Sequence, residues 1–159
     1  MNLLLEDQRL TALYRLDLLD RCVEERFDSI VHIVQNMFAV PMVSITLVDK
    51  SRQWRLAYWG SLQRETSLTG AICAQAMWHA APLVVPDLTL DQRFQDNPYV
   101  RRAPFLRFYA SQSLHAPPGF PVGALCLMDV VPRRLTVNEV RDLADLGAWV
   151  QHELTKMAT

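Results

Sequence analysis

Two cysteines, Cys73 and Cys126, are the residues of this sequence that could carry redox chemistry. Cys73 falls near the start of a predicted short helix, where the helix dipole favours a thiolate, and Cys126 falls in a predicted strand. Small buried cysteines more often fill space without reacting, so we expect both to be reduced and non-catalytic. With Cys22 the cysteines are odd in number and widely spaced, which favours a reducing compartment over a disulfide framework.

The other residue types that could do chemistry form no recognisable motif. The histidines lack the spacing of a metal site, and they are His32, His79, His115 and His152. A glycine-rich phosphate loop and a Ser-His-Asp order are also missing. Asp87, Asp91, Arg93 and Asp96 are better explained as turn caps and loop staples than as a site. We therefore expect no metal, no cofactor and no catalytic activity.

Small or polar side chains alternate with large aliphatic ones along two predicted strands. If these strands lie mid-sheet, the aliphatic set faces the helices, and it comprises Val43, Ile45, Leu47, Leu125 and Leu127. The opposite face then has room for a small-molecule cavity. The predicted cavity residues are Ser44, Thr46, Trp54, Cys73, Met77, Tyr109, Ser111 and Cys126. The alternative is that Met77, Phe94 and Trp54 fill this space as a second small core.

The elements that must position these residues follow from periodicity. Apolar residues at three-four spacing predict a helix from Phe27 to Phe38, after a shorter helix around Leu10 to Tyr14. About five strands are predicted, at 43–48, 53–59, 83–85, 106–114 and 122–128. A short helix is predicted between residues 70 and 79, capped by Ser67 or Thr69. Residues 87–102 form an ordered loop excursion anchored by Phe94.

The last element is a helix over residues 136–157, because Thr136 and Glu139 have capping-box spacing. Its apolar residues recur at threes and fours, at Val140, Leu143, Gly147, Val150, Leu154 and Met157. With Leu146 and Trp149 beside it, this seam exceeds what one sheet covers easily. We therefore expect a homodimer formed by the last helix together with the first.

Together these elements predict an α+β fold. A central antiparallel sheet carries the N- and C-terminal helices on one face, and the short helix and loop excursion form a pocket on the other. The chain is predicted to be one domain over residues 1–159, with N-terminal helices at 1–38, sheet and pocket at 43–129, and the C-terminal helix at 136–157.

Four segments between Glu6 and Pro132 resemble the GAF sensor domains of bacterial diguanylate cyclases and sensor histidine kinases. The family's Arg-Gln-Trp after the first strand is matched by residues 52–54, and residues 93–94, 96–98, 107–109, 126–129 and 132–133 also match. The family's Ser-Phe-Cys-Ala-His segment matches only in part. Cys73 and Ala74 agree, whereas Gln75 replaces the histidine. A ligand or pH response that needs this histidine would therefore be lost.

Composition excludes several partners. The net charge is −1, half of the residues are hydrophobic and 21% are charged, so neither disorder nor nucleic-acid binding is expected. Apolar runs are too short to cross a membrane, and acidic residues follow the start too soon for a secretory signal. We expect a cytoplasmic protein.

The resemblance implies a sensory or regulatory domain in bacterial signal transduction. An unknown small molecule would bias the pocket helix, and the terminal helices would pass the change to an effector domain or protein. Two alternatives remain at this point. One is a small cysteine-dependent redox enzyme similar to methionine sulfoxide reductases, and the other is a structural dimerisation module without a ligand.

Overall fold

The structure is a computed structural model that describes residues 2–21 and 25–158. Cys22 lies outside the described residues. The helices are α1 (Leu3–Arg15), α2 (Glu25–Phe38), α3 (Ile72–Ala76), α4 (Pro98–Arg101) and α5 (Val137–Met157), with a 3₁₀ turn at Leu88–Leu90. The strands are β1 (Met42–Val48), β2 (Arg52–Trp59), β3 (Glu65–Ser67), β4 (Leu83–Val85), β5 (Phe108–Ala116) and β6 (Phe120–Asp129).

The strands form one antiparallel sheet in the order β3-β2-β1-β6-β5-β4. This confirms the predicted α+β fold and places β1 and β6 at its centre. The sheet has six strands, one more than expected. The additional strand, β3, consists of Glu65, Thr66 and Ser67 on the sheet edge. Its short polar sequence gives no period-2 apolar signal.

The main core lies between one sheet face and the helices α1, α2 and α5. Ile45, Leu47 and Leu125 are fully buried there, together with Phe27 of α2 and Leu143 of α5. At the sheet centre, a Cβ on Gly123 would fall 1.8 Å from the carbonyl oxygen of Thr46. Only glycine allows this close backbone approach between β6 and β1.

Helix α5 begins with the predicted capping box, in which Thr136 and Glu139 bond each other's backbone amides. Its apolar seam packs within this chain, since Leu143, Val150 and Leu154 are fully buried in the main core. A Cβ on Gly147 would lie 2.3 Å from Cγ of Gln112 on β5. The seam expected to pair two copies is therefore core, and a homodimer would need other residues.

A second apolar cluster covers the opposite sheet face beneath α3, α4 and the 3₁₀ turn. Phe94 is 2% exposed there, as expected for the anchor of the loop excursion. Asn97 ties α4 to the start of α3, because its Nδ2 donates to the carbonyl of Gly70 at 3.0 Å. The predicted cap of α3 is wrong. Its N-cap is Ala71, which has no capping side chain, and neither Ser67 nor Thr69 takes that place.

Candidate functional site

Five of the predicted cavity residues form one buried network beneath α3. The hydroxyls of Ser44 and Thr46 are 2.8 Å apart, and Thr46 is close enough to Cys73 to act on its pKa. Cys73 Sγ lies 2.7 Å from Cys126 Sγ. The Tyr109 hydroxyl lies 3.3 Å from Cys73 Sγ, to which it donates, and 3.4 Å from Cys126 Sγ. Strands β1, β5 and β6 and helix α3 thus meet at these polar atoms.

The two thiols differ in acidity although they touch. The hydrogen bond from Cys126 lowers the pKa of Cys73 to about 7, outweighing burial. The Tyr109 and Thr46 hydroxyls and the positive charge of Arg55 also act to lower it. Burial raises the pKa of Cys126 well above its ordinary value, and the contact with Cys73 adds to that rise. As the pH rises, the pair therefore loses its first proton near neutral pH, from Cys73. The second proton leaves only at much higher pH.

Two of the remaining predicted residues also lie on this face. Met77 is buried in the second cluster, just after α3. Ser111 is buried opposite Cys126 and Leu83, with a hydroxyl oxygen that has no hydrogen-bond partner. Neither side chain lines the open cavity described below.

Trp54 lies on the other side of the sheet. It pairs with Leu47, whose side chain packs in the main core, while Gln53 pairs with Val48 and Arg55 with Thr46. The cause is a β-bulge. Ala57 pairs with Ile45 and Arg55 with Thr46, so Leu56 is an additional residue in β2. One extra residue reverses which face every preceding side chain takes, and it exchanges Trp54 for Gln53 and Arg55 on the cavity face.

An open cavity of about 370 Å³ lies beside the buried network. Of the eight predicted residues, Cys73 and Tyr109 line it. The other lining residues are Met42, Gln53, Arg55, Ser61, Leu62, Gln63, Thr66, Gly70, Ile72, Tyr99, Ala103, Pro104, Leu106 and Met128. This volume lies at the lower end of the ~300–1,000 Å³ typical of small-molecule sites.

Some of these lining residues could have been predicted from the sequence. Met42 has the parity of Ser44, and Met128 has the parity of Cys126, so extending the alternation by these two residues would have placed both on the cavity face. Gln53 and Arg55 were hidden by the bulge. Tyr99 and Leu106 come from the loop excursion, where no period indicates which side chains turn inward.

Arg55 is the charged group of this lining, and 9% of it is exposed. Its Nη1 donates to the carbonyl of Gln63 at 2.8 Å and to the Thr66 hydroxyl at 3.3 Å. Its Nε is buried without a hydrogen-bond partner. The guanidinium is therefore held by one nitrogen, on the side of the loop before β3.

Arg52 fastens the outer end of β2 to three other segments. It forms a two-point ion pair with Asp20 in the α1–α2 link at 2.7 Å, and it bonds Asp49 and Glu65 at 3.2 and 2.8 Å. These bonds raise the pKa of Arg52, the pair with Asp20 contributing most. Neighbouring residues of the Arg-Gln-Trp segment therefore have different roles. Arg52 ties β2 to the surrounding segments, and Gln53 lines the cavity.

Helix α1 reaches the neighbourhood of α3 through one buried side chain. Arg9 is 1% exposed, pairs with Glu6 through Nε and Nη2, and donates from Nη1 to the carbonyl of Val48 at 2.8 Å. The same Nη1 lies 4.0 Å from the sulfur of Met77. An arginine of the first helix thus contacts the residue that follows α3.

Residues 2–21 and 25–158 contain no group of three His, Cys, Asp or Glu side chains arranged to hold a metal ion. In the same ranges, no helix combines the length and apolar character that a bilayer crossing requires.

Known proteins resemble this chain in sequence and in fold. The profile of the GAF domain family matches residues 23–154. A cyclic di-GMP phosphodiesterase of Pseudomonas aeruginosa is 37% identical over 154 residues, covering 97% of this chain and 26% of that protein. This chain therefore spans about a quarter of that relative's length.

Two solved structures show the likeness in three dimensions. The GAF domain of an Acinetobacter phosphoenolpyruvate-protein phosphotransferase superposes with a TM-score of 0.68 at 14% identity, over 98% of this chain and 95% of that one. A type II free methionine-R-sulfoxide reductase from Thermoplasma acidophilum gives a TM-score of 0.67 at 9% identity, over 85% and 94%. At such identities the likeness concerns the fold alone.

Proposed function

This chain belongs to the GAF domain family and has a sensory or regulatory role in signalling, and we propose that it senses a small molecule bound in the cavity beside α3. The main support for this proposal is that α3 lies between the cavity and helix α1. Cys73 near its start lines the cavity, and Met77 just past its end touches Arg9 of α1.

The proposed mechanism is a population shift. A ligand that prefers one packing of α3 favours the matching position of Met77 and, through Arg9, of α1. The shift cannot exceed the difference between the ligand's affinities for the two packings. A coupling of about 1–3 kcal/mol is typical of such linkage. Because α3 has only five residues, we expect Cys73 and Met77 to shift together with it.

The effector is proposed to act on cyclic di-GMP. The 37% identical relative is a cyclic di-GMP phosphodiesterase, and this chain matches 26% of it. Such an effector would receive the change from α1 or α5, in the same polypeptide or in a partner protein. The free thiols of Cys73 and Cys126 favour the reducing cytoplasm as the site of action.

We propose that the domain itself is not an enzyme. The competing function is thiol redox chemistry, which the contact between Cys73 and Cys126 favours, together with the lowered pKa of Cys73. Replacing both cysteines by serine separates the two. A regulatory domain keeps its effect on the effector, whereas a reductase loses a peroxide- or sulfoxide-dependent activity.

We also propose a homodimer. Its interface would differ from the buried seam of α5. Large apolar side chains are exposed on the two helices concerned, at Leu3 and Leu4 of α1 and at Val137 and Trp149 of α5. Two-fold pairing through these residues would join the helices that carry the signal.

Native mass spectrometry of the purified protein tests the sensing function. We expect a retained small molecule in the wild type and its loss in Leu62→Trp, which fills the cavity from a half-buried lining position. Leu90→Trp is the matched control, since Leu90 is 82% exposed in the 3₁₀ turn and lies outside the cavity lining. Equal retention in both variants would contradict the proposed site, and an unoccupied wild type after gentle purification would favour the structural module.

A further inference from the structure

Arg55 is a buried cation without a counter-charge among the described residues. None of its described hydrogen bonds or ion pairs involves a carboxylate. Arg9 is also buried, but its charge is paired, because its Nε and Nη2 both donate to the carboxylate of Glu6. Burying an unpaired charge is costly, so buried charges are normally paired. Arg55 departs from that rule at the wall of a cavity.

The unused part of Arg55 has a definite shape. Nη1 is occupied by Gln63 and Thr66, whereas Nε has no partner and Nη2 donates to none of the described residues. Nε and Nη2 form one edge of the planar guanidinium, and their parallel N–H bonds match the two oxygens of a carboxylate. The unpaired edge of Arg55 therefore has the donor geometry that a carboxylate needs for two-point binding.

The remaining cavity wall is largely apolar. Ile72, Leu106 and Met128 contribute aliphatic or thioether surface, and Tyr99 and Tyr109 contribute rings. Burying apolar surface stabilises a complex by about 25 cal/mol per Å², while one convergent charge fixes orientation. The cavity thus suits a molecule with one acidic end and an apolar body.

We propose that the ligand of this cavity is a small carboxylic acid, with its carboxylate bound by Arg55 and its apolar body against Ile72, Tyr99 and Leu106. This inference rests on the proposed sensing function and specifies the ligand class. The β2 bulge at Leu56 supports it, because that bulge turns Arg55 toward the cavity. Bulges commonly re-aim a side chain beside a binding site.

One group of the chain itself could compensate Arg55. Cys73 ionises near neutral pH, and the charge of Arg55 favours its thiolate. In that account Arg55 is a structural partner of Cys73 and the cavity has no preference for acids. The two accounts differ in whether an added carboxylate binds.

Calorimetric titration with three probes of the same body decides between them: 4-phenylbutyrate, the neutral 4-phenylbutyramide, and 3-phenylpropyl phosphate. We expect the acid to bind and the amide to bind at least about tenfold more weakly, because the amide lacks the charge. Arg55→Gln should weaken acid binding to the level of the amide. Arg55→Lys should retain part of it, since lysine keeps the charge but not the fork. Arg141→Gln on α5 removes the same charge away from the cavity and should change nothing.

Equal binding of acid and amide to the wild type would overturn the inference without any variant, so a folding defect in Arg55→Gln cannot hide the answer. Tighter binding of the phosphate would overturn the choice of a carboxylate. The underlying function is tested separately by native mass spectrometry. If Leu62→Trp displaces a retained molecule whose mass and fragmentation show no acid group, sensing stands and the carboxylate inference fails.

Discussion

Cys73 Sγ lies 2.7 Å from Cys126 Sγ, and of the two residues Cys73 lines the cavity. Cys73 is therefore the member of the touching pair nearer the cavity, while Cys126 is fully buried. The two thiols also differ in acidity, since the pKa of Cys73 is lowered to about 7 and the pKa of Cys126 is raised.

Alkylation by iodoacetamide should therefore be selective. In a Cys22→Ser background, labelling of Cys73 should rise with a midpoint near pH 7, while Cys126 should stay unlabelled in the folded protein. Tyr109→Phe should move the Cys73 midpoint upward, because the Tyr109 hydrogen bond lowers the Cys73 pKa. Peptide mass spectrometry across a pH series gives both profiles. Equal labelling of the two cysteines would contradict the arrangement.

The contact between Arg9 and Met77 should carry the signal to α1. Leu62→Trp fills the cavity and can stand in for a ligand, so it should change amide hydrogen exchange in α1. Met77→Leu keeps the side-chain volume nearly constant but removes the sulfur that lies 4.0 Å from Arg9. In the double variant the α1 response should be reduced or lost. An undiminished response would place the coupling elsewhere.

Two neighbouring residues of α5 distinguish core from dimer surface. Val150 is fully buried, and Trp149 is 39% exposed. Val150→Glu should unfold the protein, because an unpaired buried charge costs several kcal/mol out of a total stability of about 5–15 kcal/mol. Trp149→Glu should leave the fold intact and shift sedimentation from dimer to monomer. A monomeric wild type, or a dimer that survives Trp149→Glu, would contradict the proposed surface.

Gly147 should be intolerant of a methyl group. Alanine favours helix formation by up to about 1 kcal/mol relative to glycine, yet its Cβ would lie 2.3 Å from Cγ of Gln112. Overpacking of this kind costs about 1–3 kcal/mol, so Gly147→Ala should lower the free energy of unfolding. Adding Gln112→Ala should restore part of the loss. Denaturant titration of the four proteins in this cycle measures the coupling, and additive losses would show that the two residues do not meet.

Acid should loosen the attachment of α1. The hydrogen bond from Arg9 lowers the pKa of Glu6 below its ordinary 4.5, burial opposes this, and the charge of Arg9 reinforces it. The stabilisation is therefore complete above about pH 4.5 and is lost as the pH falls through the lowered pKa. Glu6→Gln should cost stability at neutral pH and flatten the acid limb of the stability curve. The exposed Asp7→Asn serves as a control that removes the same charge without touching Arg9.

The architecture was predictable because its signals are periodic. Residues 27–38 and 136–157 repeat at helical spacing, and the alternation from Val43 to Val48 fixes the two faces of the central strand. The residues of the predicted site were only partly predictable. Ser44, Thr46, Tyr109 and Cys126 share one face as strand parity requires, and Cys73 joins them from α3. Parity says nothing about whether the space around them stays open, and most of it is filled.

The side chains that parity could not assign are those beyond an irregularity. A bulge has no sequence signature in Arg52 to Trp59, so the side of the sheet that Trp54 takes could not be derived. The α5 seam shows a different limit. Periodicity identifies an apolar face, but the amount of sheet available to cover that face is a property of the whole fold.

The bulge at Leu56 also has a consequence for how such a domain can diverge. Removing that single residue from β2 would exchange the faces of Arg52 to Arg55 and bring Arg52 and Trp54 to the cavity in place of Gln53 and Arg55. The central strands β1 and β6 and the helices packed on them would keep their own pairing. A one-codon deletion or insertion could thus change the chemical preference of the domain in one evolutionary step, without the gradual replacement of each wall residue.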